Sequence, residues 1–297
     1  MGREKIRRVR VGLRGRMMNN KKIEKAILDI VTYLLLSLGA VIMVTPFLWM
    51  IATSFKRPAD QFTMTLIPNP ATLDNYRSLF NVDLNFPLMF ANSTVISLLV
   101  TMGQLLTCSM AAFCFAVVKF RGREALFAAL LATLLIPFHV TLIPNFIIFK
   151  WLGLTGTSVP IWLPAFWGGA FGTFLIRQYF LTIPRDLVDA ARVDGASLLQ
   201  IFWRVYLPLA KPALAALAIF TFQGAWNDLL HPLIYMPAAP NTTLTVGLAF
   251  FQQQMVLGGK FTILMAGAFI SILPLLLVFF FAQRYFIQGI ALTGVKR

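Results

Sequence analysis

The sequence predicts an all-α, polytopic membrane protein with six transmembrane helices. Three observations carry this reading. Hydrophobic residues make up 58% of the 297-residue chain and charged residues only 12%, about half the charged share of an ordinary soluble domain. The apolar residues are gathered into runs of about 20 or more, the length a helix needs to cross a bilayer. The cationic residues cluster in alternate connections between those runs, and this bias fixes an orientation.

Residues 1–27 read as a basic cytoplasmic N-terminus, with ten Lys or Arg from Arg3 to Lys25. A first helix is predicted over 28–53. It is too long for the apolar core of a signal peptide, and Phe55-Lys56-Arg57-Pro58 offers no cleavage site, so it reads as a retained span. Asp29 lies four residues after Lys25, a spacing that pairs them on a helix. Residues 54–88, with Pro58, Pro68, Pro70 and Pro87, read as a loop outside the membrane. The second helix is predicted over 89–118, followed by a basic turn at 119–124. The third covers 125–149, interrupted by Pro137 and Pro144. A turn at 150–157 leads to the fourth helix, over 158–176. A long hydrophilic segment, 177–212, comes next. The fifth helix is predicted over 213–234, an outer loop over 236–260, the sixth helix over 261–281 and a polar tail over 283–297.

Six spans put both termini on one side. Only Lys56, Arg57, Arg77, Lys150 and Lys260 fall on the other side. The orientation is therefore N-in and C-in, with 177–212 in the cytoplasm. The same asymmetry accounts for the net charge of +15, so no nucleic acid is needed to explain it. Cys108 and Cys114 lie in one apolar run at a spacing that fits no metal or redox pattern. Both read as small core residues.

Segment 177–212 has its own logic. Pro184 can open a helix, and 185–193 continue it for about two and a half turns. Arg185 and Asp189 are spaced to pair on its exposed face. Leu187, Ala190 and Ala191 form an apolar side on which two small residues allow another protein to come close. Asp194-Gly195 stops the helix, because glycine accepts the left-handed conformation. Ser197 caps a second helix over 198–204 or beyond, with Leu198, Ile201, Phe202 and Val205 as its apolar stripe. Such a unit is either a rigid lever or an amphipathic hairpin lying in the interface, and the residues alone leave both open.

The run Asp189-Ala190-Ala191, three residues, Gly195, nine residues, Val205-x-Leu207-Pro208 resembles the EAA loop of permease subunits of bacterial ABC importers. Asp189 stands for the usual glutamate and Val205 for isoleucine. Ala191-Arg192-Val193-Asp194-Gly195-Ala196-Ser197, Trp226-Asn227-Asp228, Gln283 through Gly289 and the terminal Thr293 through Arg297 are similar to carbohydrate importer permeases of the maltose and oligosaccharide type. The resemblance implies a bacterial cytoplasmic-membrane protein over 28–297, pairing with a second, homologous permease. It implies a dimer of ATP-binding subunits below and an extracytoplasmic substrate-binding protein above. ATP and Mg would sit on the partner ATPase, with no cofactor or metal on this chain. Asp189, Ala190, Ala191, Arg192, Val193, Asp194, Gly195 and Ser197 would couple to the ATPase. Gly294, Val295, Lys296 and Arg297 would reach it from the tail.

A phosphate loop of its own is missing from the sequence. Gly258-Gly259-Lys260 is followed by Phe261, and position 254 is Gln254 where that pattern needs glycine. The chain is thus read as a non-catalytic transport subunit. Polar residues inside spans are costly in lipid and mark candidate substrate paths. His139, Asn145, Gln223 and Asn227 are named for that role. His139 either lines a cavity or bonds a carbonyl freed by the neighbouring prolines. Asp228 reads as a solvated or packing residue and His231 as structural. Gly168 and Gly172 read as a small-residue seam between helices. An oligosaccharide is the default substrate, with a uronate-bearing sugar or a glycerol phosphodiester as alternatives. An intramembrane sugar transferase would need convergent acids or a metal cluster. A secondary transporter would need mid-membrane charges and an internal repeat. The EAA spacing argues against both.

Overall fold

The computed structural model describes the backbone of residues 2–81, 85–237, 241–257 and 260–294. It describes the side chains of 25–81, 85–237, 241–252 and 260–283. Among the described residues, four helices are long and apolar enough to cross a membrane, and two bent helix pairs, each counted as one span, bring the number to six.

Helix α1, Gly2–Ser54, contains the first span, Lys25–Ser54. From Ile27 to Leu48 its apolar side chains stay bare within the chain, as a lipid-facing helix requires. A connection containing α2, Asp74–Phe80, leads to α3, Phe86–Ala116. This α3 is the central post of the bundle, and its buried residues recur along its whole length. The third span is not one rod. Helix α4, Arg123–Ala132, and α5, Phe138–Trp151, belong to a pair bent by 94°. Pro137 drives its predecessor out of the helical region. Ile136 has ψ 112° and Pro137 ψ 132°, so two extended residues in a row turn the chain. Pro144, expected to interrupt as well, passes inside α5 at the loss of one hydrogen bond.

The fourth span joins α6, Val159–Phe166, to α7, Ala170–Phe180. Gly168 lies in the break with φ +94°, against Thr107 and Cys108 of α3. Gly172 faces Cys108 and Leu217. The glycine pair thus does serve close packing, but Gly168 does so outside the helix. Cys108 is buried, and its Sγ accepts a hydrogen bond from the Gly169 N–H at 3.4 Å. Cys114 is exposed, in contrast to the expectation. Six residues turn a helix by about 600°, so one face cannot hold both.

After α8, Asp186–Val193, come α9, Leu198–Ile201, a π-helical turn, Phe202–Tyr206, and α10, Leu207–Leu209. Helix α11, Lys211–Trp226, then turns away, and the pair Leu198–Leu209 and Lys211–Trp226 is bent by 78°. The fifth helix stops at Trp226 and resumes as α12, Leu230–Tyr235. The expected outer loop contains α13, Leu244–Leu257, which packs on α3 and α14. Helix α14, Phe261–Gly294, carries the last span.

One core joins the hydrophilic segment to the spans. Phe113 of α3, Phe180 of α7, Val188 of α8, Phe202 and Tyr206 of the π turn, and Leu217 of α11 are buried together. Phe113 meets Phe202 and Tyr206 edge-on at 5.5 and 5.2 Å, contacts worth about 0.5–1.5 kcal/mol each beyond area burial. The segment is therefore seated on the bundle at its second helix, and only α8 and its turn stand proud.

A second tie closes the opposite end. The Asn75 side-chain amide donates to the carbonyls of Ser54 and Lys56 at 2.8 and 2.7 Å, and its oxygen accepts from Thr262 at 2.8 Å. It links the end of α1 to the start of α14.

Candidate functional site

Two features stand out, one on the surface and one within the bundle. The first is α8 and its turn. Its end is a complete Schellman motif. Gly195 donates to Arg192 O at 3.0 Å, and Ala196 to Ala191 O at 2.9 Å. Gly195 has φ +81° with open space beside it. Ser197 and Gln200 then form a reciprocal capping box. Gly195→Val is expected to destabilise the segment by about 1–2 kcal/mol, because a branched side chain resists the left-handed region. Gly195→Asn is expected to cost less. Thermal midpoints of the two purified variants check this.

The faces of α8 differ from the sequence expectation. Val188 is buried, and Ala191 packs inward on the core. Leu187 and Val193 are 43% and 88% exposed, and Ala190 between them is exposed too. At about 100° per residue the outward apolar stripe is Leu187, Ala190 and Val193, without Ala191. Arg192, Asp194 and Ser197 are exposed. The expected Arg185–Asp189 ion pair is not among the salt bridges of the described residues. Both side chains instead border a cleft behind α8, facing Tyr206. Burial pushes the Tyr206 hydroxyl above its ordinary value, and the Arg185 charge offsets part of that rise.

Arg177, at the last turn of α7, is a feature that sequence reasoning missed. It is buried, donates to Glu124 at 3.1 Å and to Phe115 O at 3.2 Å, and lies 4.1 Å from the Phe127 ring. Helix α7 leads directly into α8, so this knot anchors the root of the exposed helix.

The second feature is a cavity of about 510 Å³ between α3, α5, α6, α7, α11 and α12. Gln104, Asn145, Thr221, Asp228 and His231 supply its polar wall, and Phe138, Phe171 and Phe220 its aromatic wall. Asp228 Oδ2 lies 2.7 Å from His231 Nδ1, and the Phe138 ring is 4.3 Å from the imidazole. Of the four residues named from sequence for a substrate path, Asn145 lines this cavity. His139, Gln223 and Asn227 are exposed and lie off its wall. Asp228 and His231 sit at the break in the fifth span. Their i, i+3 spacing in an apolar stretch was the available signal, but the break that turns them together was not readable. The tail residues Val295, Lys296 and Arg297 lie outside the described residues. Gly294 ends α14.

Helical spans around a cavity, with an exposed helix–turn–helix rooted in the same core, define a polytopic membrane permease. The chain belongs to the family of binding-protein-dependent transport system inner membrane components, whose pattern matches residues 104–292. It is a multi-pass protein of the cytoplasmic membrane. Among its relatives is the arabinooligosaccharides transport system permease protein AraQ of Halalkalibacterium halodurans, 37% identical over 262 residues, covering 86% of this chain and 92% of that protein. Another is the lactose transport system permease protein LacG of Rhizobium radiobacter, 35% identical over 268 residues, covering 90% and 96%. A bacterial ABC transporter involved in importing the acidic polysaccharide alginate has a similar chain. It gives a TM-score of 0.76 at 27% identity, covering 88% of this chain and 96% of that one.

Proposed function

We propose that the chain is one of two homologous permease subunits of an ATP-driven importer for a neutral oligosaccharide. A separate dimer of ATP-binding subunits, holding ATP and Mg, docks on α8 from the cytoplasm. An extracytoplasmic binding protein delivers the substrate. Both termini lie inside in this reading, and 294–297 add a second ATPase contact.

The observation that carries the coupling half is the outward stripe of Leu187, Ala190 and Val193, which this chain leaves uncovered. A push on α8 has a physical route. Val188, Phe202 and Tyr206 share one core with Phe113 of α3 and Leu217 of α11. The same two helices carry Gln104 and Thr221 on the cavity wall. A close-packed core transmits displacement rather than absorbing it, so closure of the ATPases tilts the walls. ATP and the loaded binding protein drive the cycle only through different affinities for the two states.

The cavity wall supports the substrate class. Aromatic faces and hydrogen-bonding groups suit a saccharide. Among the described residues its one carboxylate is Asp228, beside His231, and no Lys or Arg is part of the wall. A uronate or a phosphate ester would meet a carboxylate there, which costs free energy.

The test places cysteine at Ala190 in a background without Cys108 and Cys114, co-expressed with the ATPases of the same organism. A crosslink to an ATPase that changes with nucleotide is the expected result. Correctly inserted protein that crosslinks to none would overturn the reading. Competition of uptake by neutral against uronate-bearing oligosaccharides tests the substrate half.

A further inference from the structure

The cleft behind α8 is strongly basic and lies off the outward stripe on which the ATPase is placed. Its inner part, about 170 Å³, lies between the start of the 117–124 turn and α8. Lys119, Arg123, Arg185 and Arg192 border it, with Asp189 as its one carboxylate. An adjoining opening of about 430 Å³ shares Lys119, Arg123 and Arg185, and adds Glu124. Glu124 is already engaged by both Arg123 and Arg177. Among the described residues, Lys119, Arg185 and Arg192 form no ion pair. Three cations thus converge on one cleft with a single carboxylate among them, an arrangement that an anion stabilises.

We infer that this cleft binds the phosphate headgroup of an anionic membrane lipid, which props α8 against the bundle. The depth is right, because the cleft opens where α3 ends at Ala116 and α4 begins at Arg123. Those are the ends of two successive spans, and headgroups lie at that level. The rim is right as well. Phe120, on its outer wall, is 40% exposed, apolar surface suited to acyl chains and wasted on a soluble anion. The side chains fit phosphate, since guanidinium groups take it through paired, charge-assisted hydrogen bonds. Basic pockets between spans on the cytoplasmic side have this recognition chemistry.

Arg185, Val188, Asp189 and Arg192 follow i, i+3, i+4, i+7 spacing and form one stripe. Leu187, Ala190 and Val193 form the other. Lipid and ATPase therefore take opposite faces of one short helix. The propping role rests on the coupling function proposed above, whereas the lipid site itself does not.

The experiment uses the full chain in its purified complex, reconstituted in phosphatidylcholine with increasing phosphatidylglycerol. Bound lipid is counted by native mass spectrometry after extraction. Wild type is expected to retain phosphatidylglycerol over phosphatidylcholine. The pair Lys119→Gln and Arg185→Gln is expected to lower that retention about thirtyfold, at about 1 kcal/mol per cation. Arg121→Gln, on the same turn but off the cleft, is expected to leave it unchanged. Arg192→Gln gives a second reading should the double variant fold poorly. Equal retention in wild type and cleft variants would overturn the inference. So would release of phosphatidylglycerol by inorganic phosphate, which would make the ligand a soluble anion. Loss of the site only when the ATPase is bound would assign the cleft to an acidic surface of that partner and overturn it too. Lipid retention alongside a failed Ala190 crosslink would sink the coupling role and leave the lipid site standing.

Discussion

Glu124→Ala is expected to destabilise the protein more than Arg177→Met, although arginine is the buried member of the pair. The Arg177 side chain is 11% exposed and that of Glu124 63%. Removing the carboxylate leaves a buried guanidinium with the Phe115 carbonyl and the Phe127 ring as its partners. Breaking a buried pair in this way costs about 3–5 kcal/mol. Solvent already screens the Glu124 side, so about 2–3 kcal/mol is the expected loss. Methionine removes the cation itself and keeps most of the volume. Glu124 then keeps Arg123 at 2.8 Å, and the expected cost is about 1 kcal/mol or less. Thermal midpoints of the purified complex decide the order. A larger drop for Arg177→Met would mean that packing over Phe127, and not charge, holds the root of α8.

Gly103→Leu is expected to keep α3 and α6 from packing at all. A Cβ at 103 would lie 2.7 Å from the Phe166 Cα. A side-chain tip can swing away from such an intrusion, but backbone cannot. Overpacking typically costs about 1–3 kcal/mol, and a clash with main chain puts this variant at about 3 kcal/mol or more. Gly39 of α1 is the comparison, since a Cβ there would meet nothing within 4 Å. Gly39→Leu is expected to change stability by about 0.5 kcal/mol or less. The yield of monodisperse protein after extraction distinguishes the two. Gly103 adjoins Gln104 and Phe166 adjoins Ala165, both on the cavity wall, so any folded Gly103→Leu protein should also transport poorly.

The spans were legible because an apolar run of membrane length admits few other fates. The breaks within them were less so. Pro137 and Pro144 read alike in the sequence, yet only the first follows an extended Ile136 and turns the chain. Helix α13 was read as loop because its polar residues hide a packed face. Thr242 and Thr243, at its threshold, are buried. On α8 the composition was clear but its rotation was not. Ala190 and Ala191 are chemically equal, and only the core contact of Val188 decides which one turns inward. The cavity was the least legible feature. Asp228 and His231 become one polar unit through the break after Trp226, and spacing alone gave no sign of that break.

The Asn75 tie has a consequence for how the chain is made. It joins the end of the first span to Thr262, at the start of the last. Helix α1 packs within the chain chiefly against α14. During synthesis, therefore, α1 enters the bilayer before the helix on which it chiefly packs, with only the nearby Asn75 bonds at its end, while the intervening spans are inserted. The clasp closes only when residue 262 has left the ribosome. Shortening the chain before that point removes α14, on which α1 and α11 both pack, so biogenesis ends with the helix that closes the bundle.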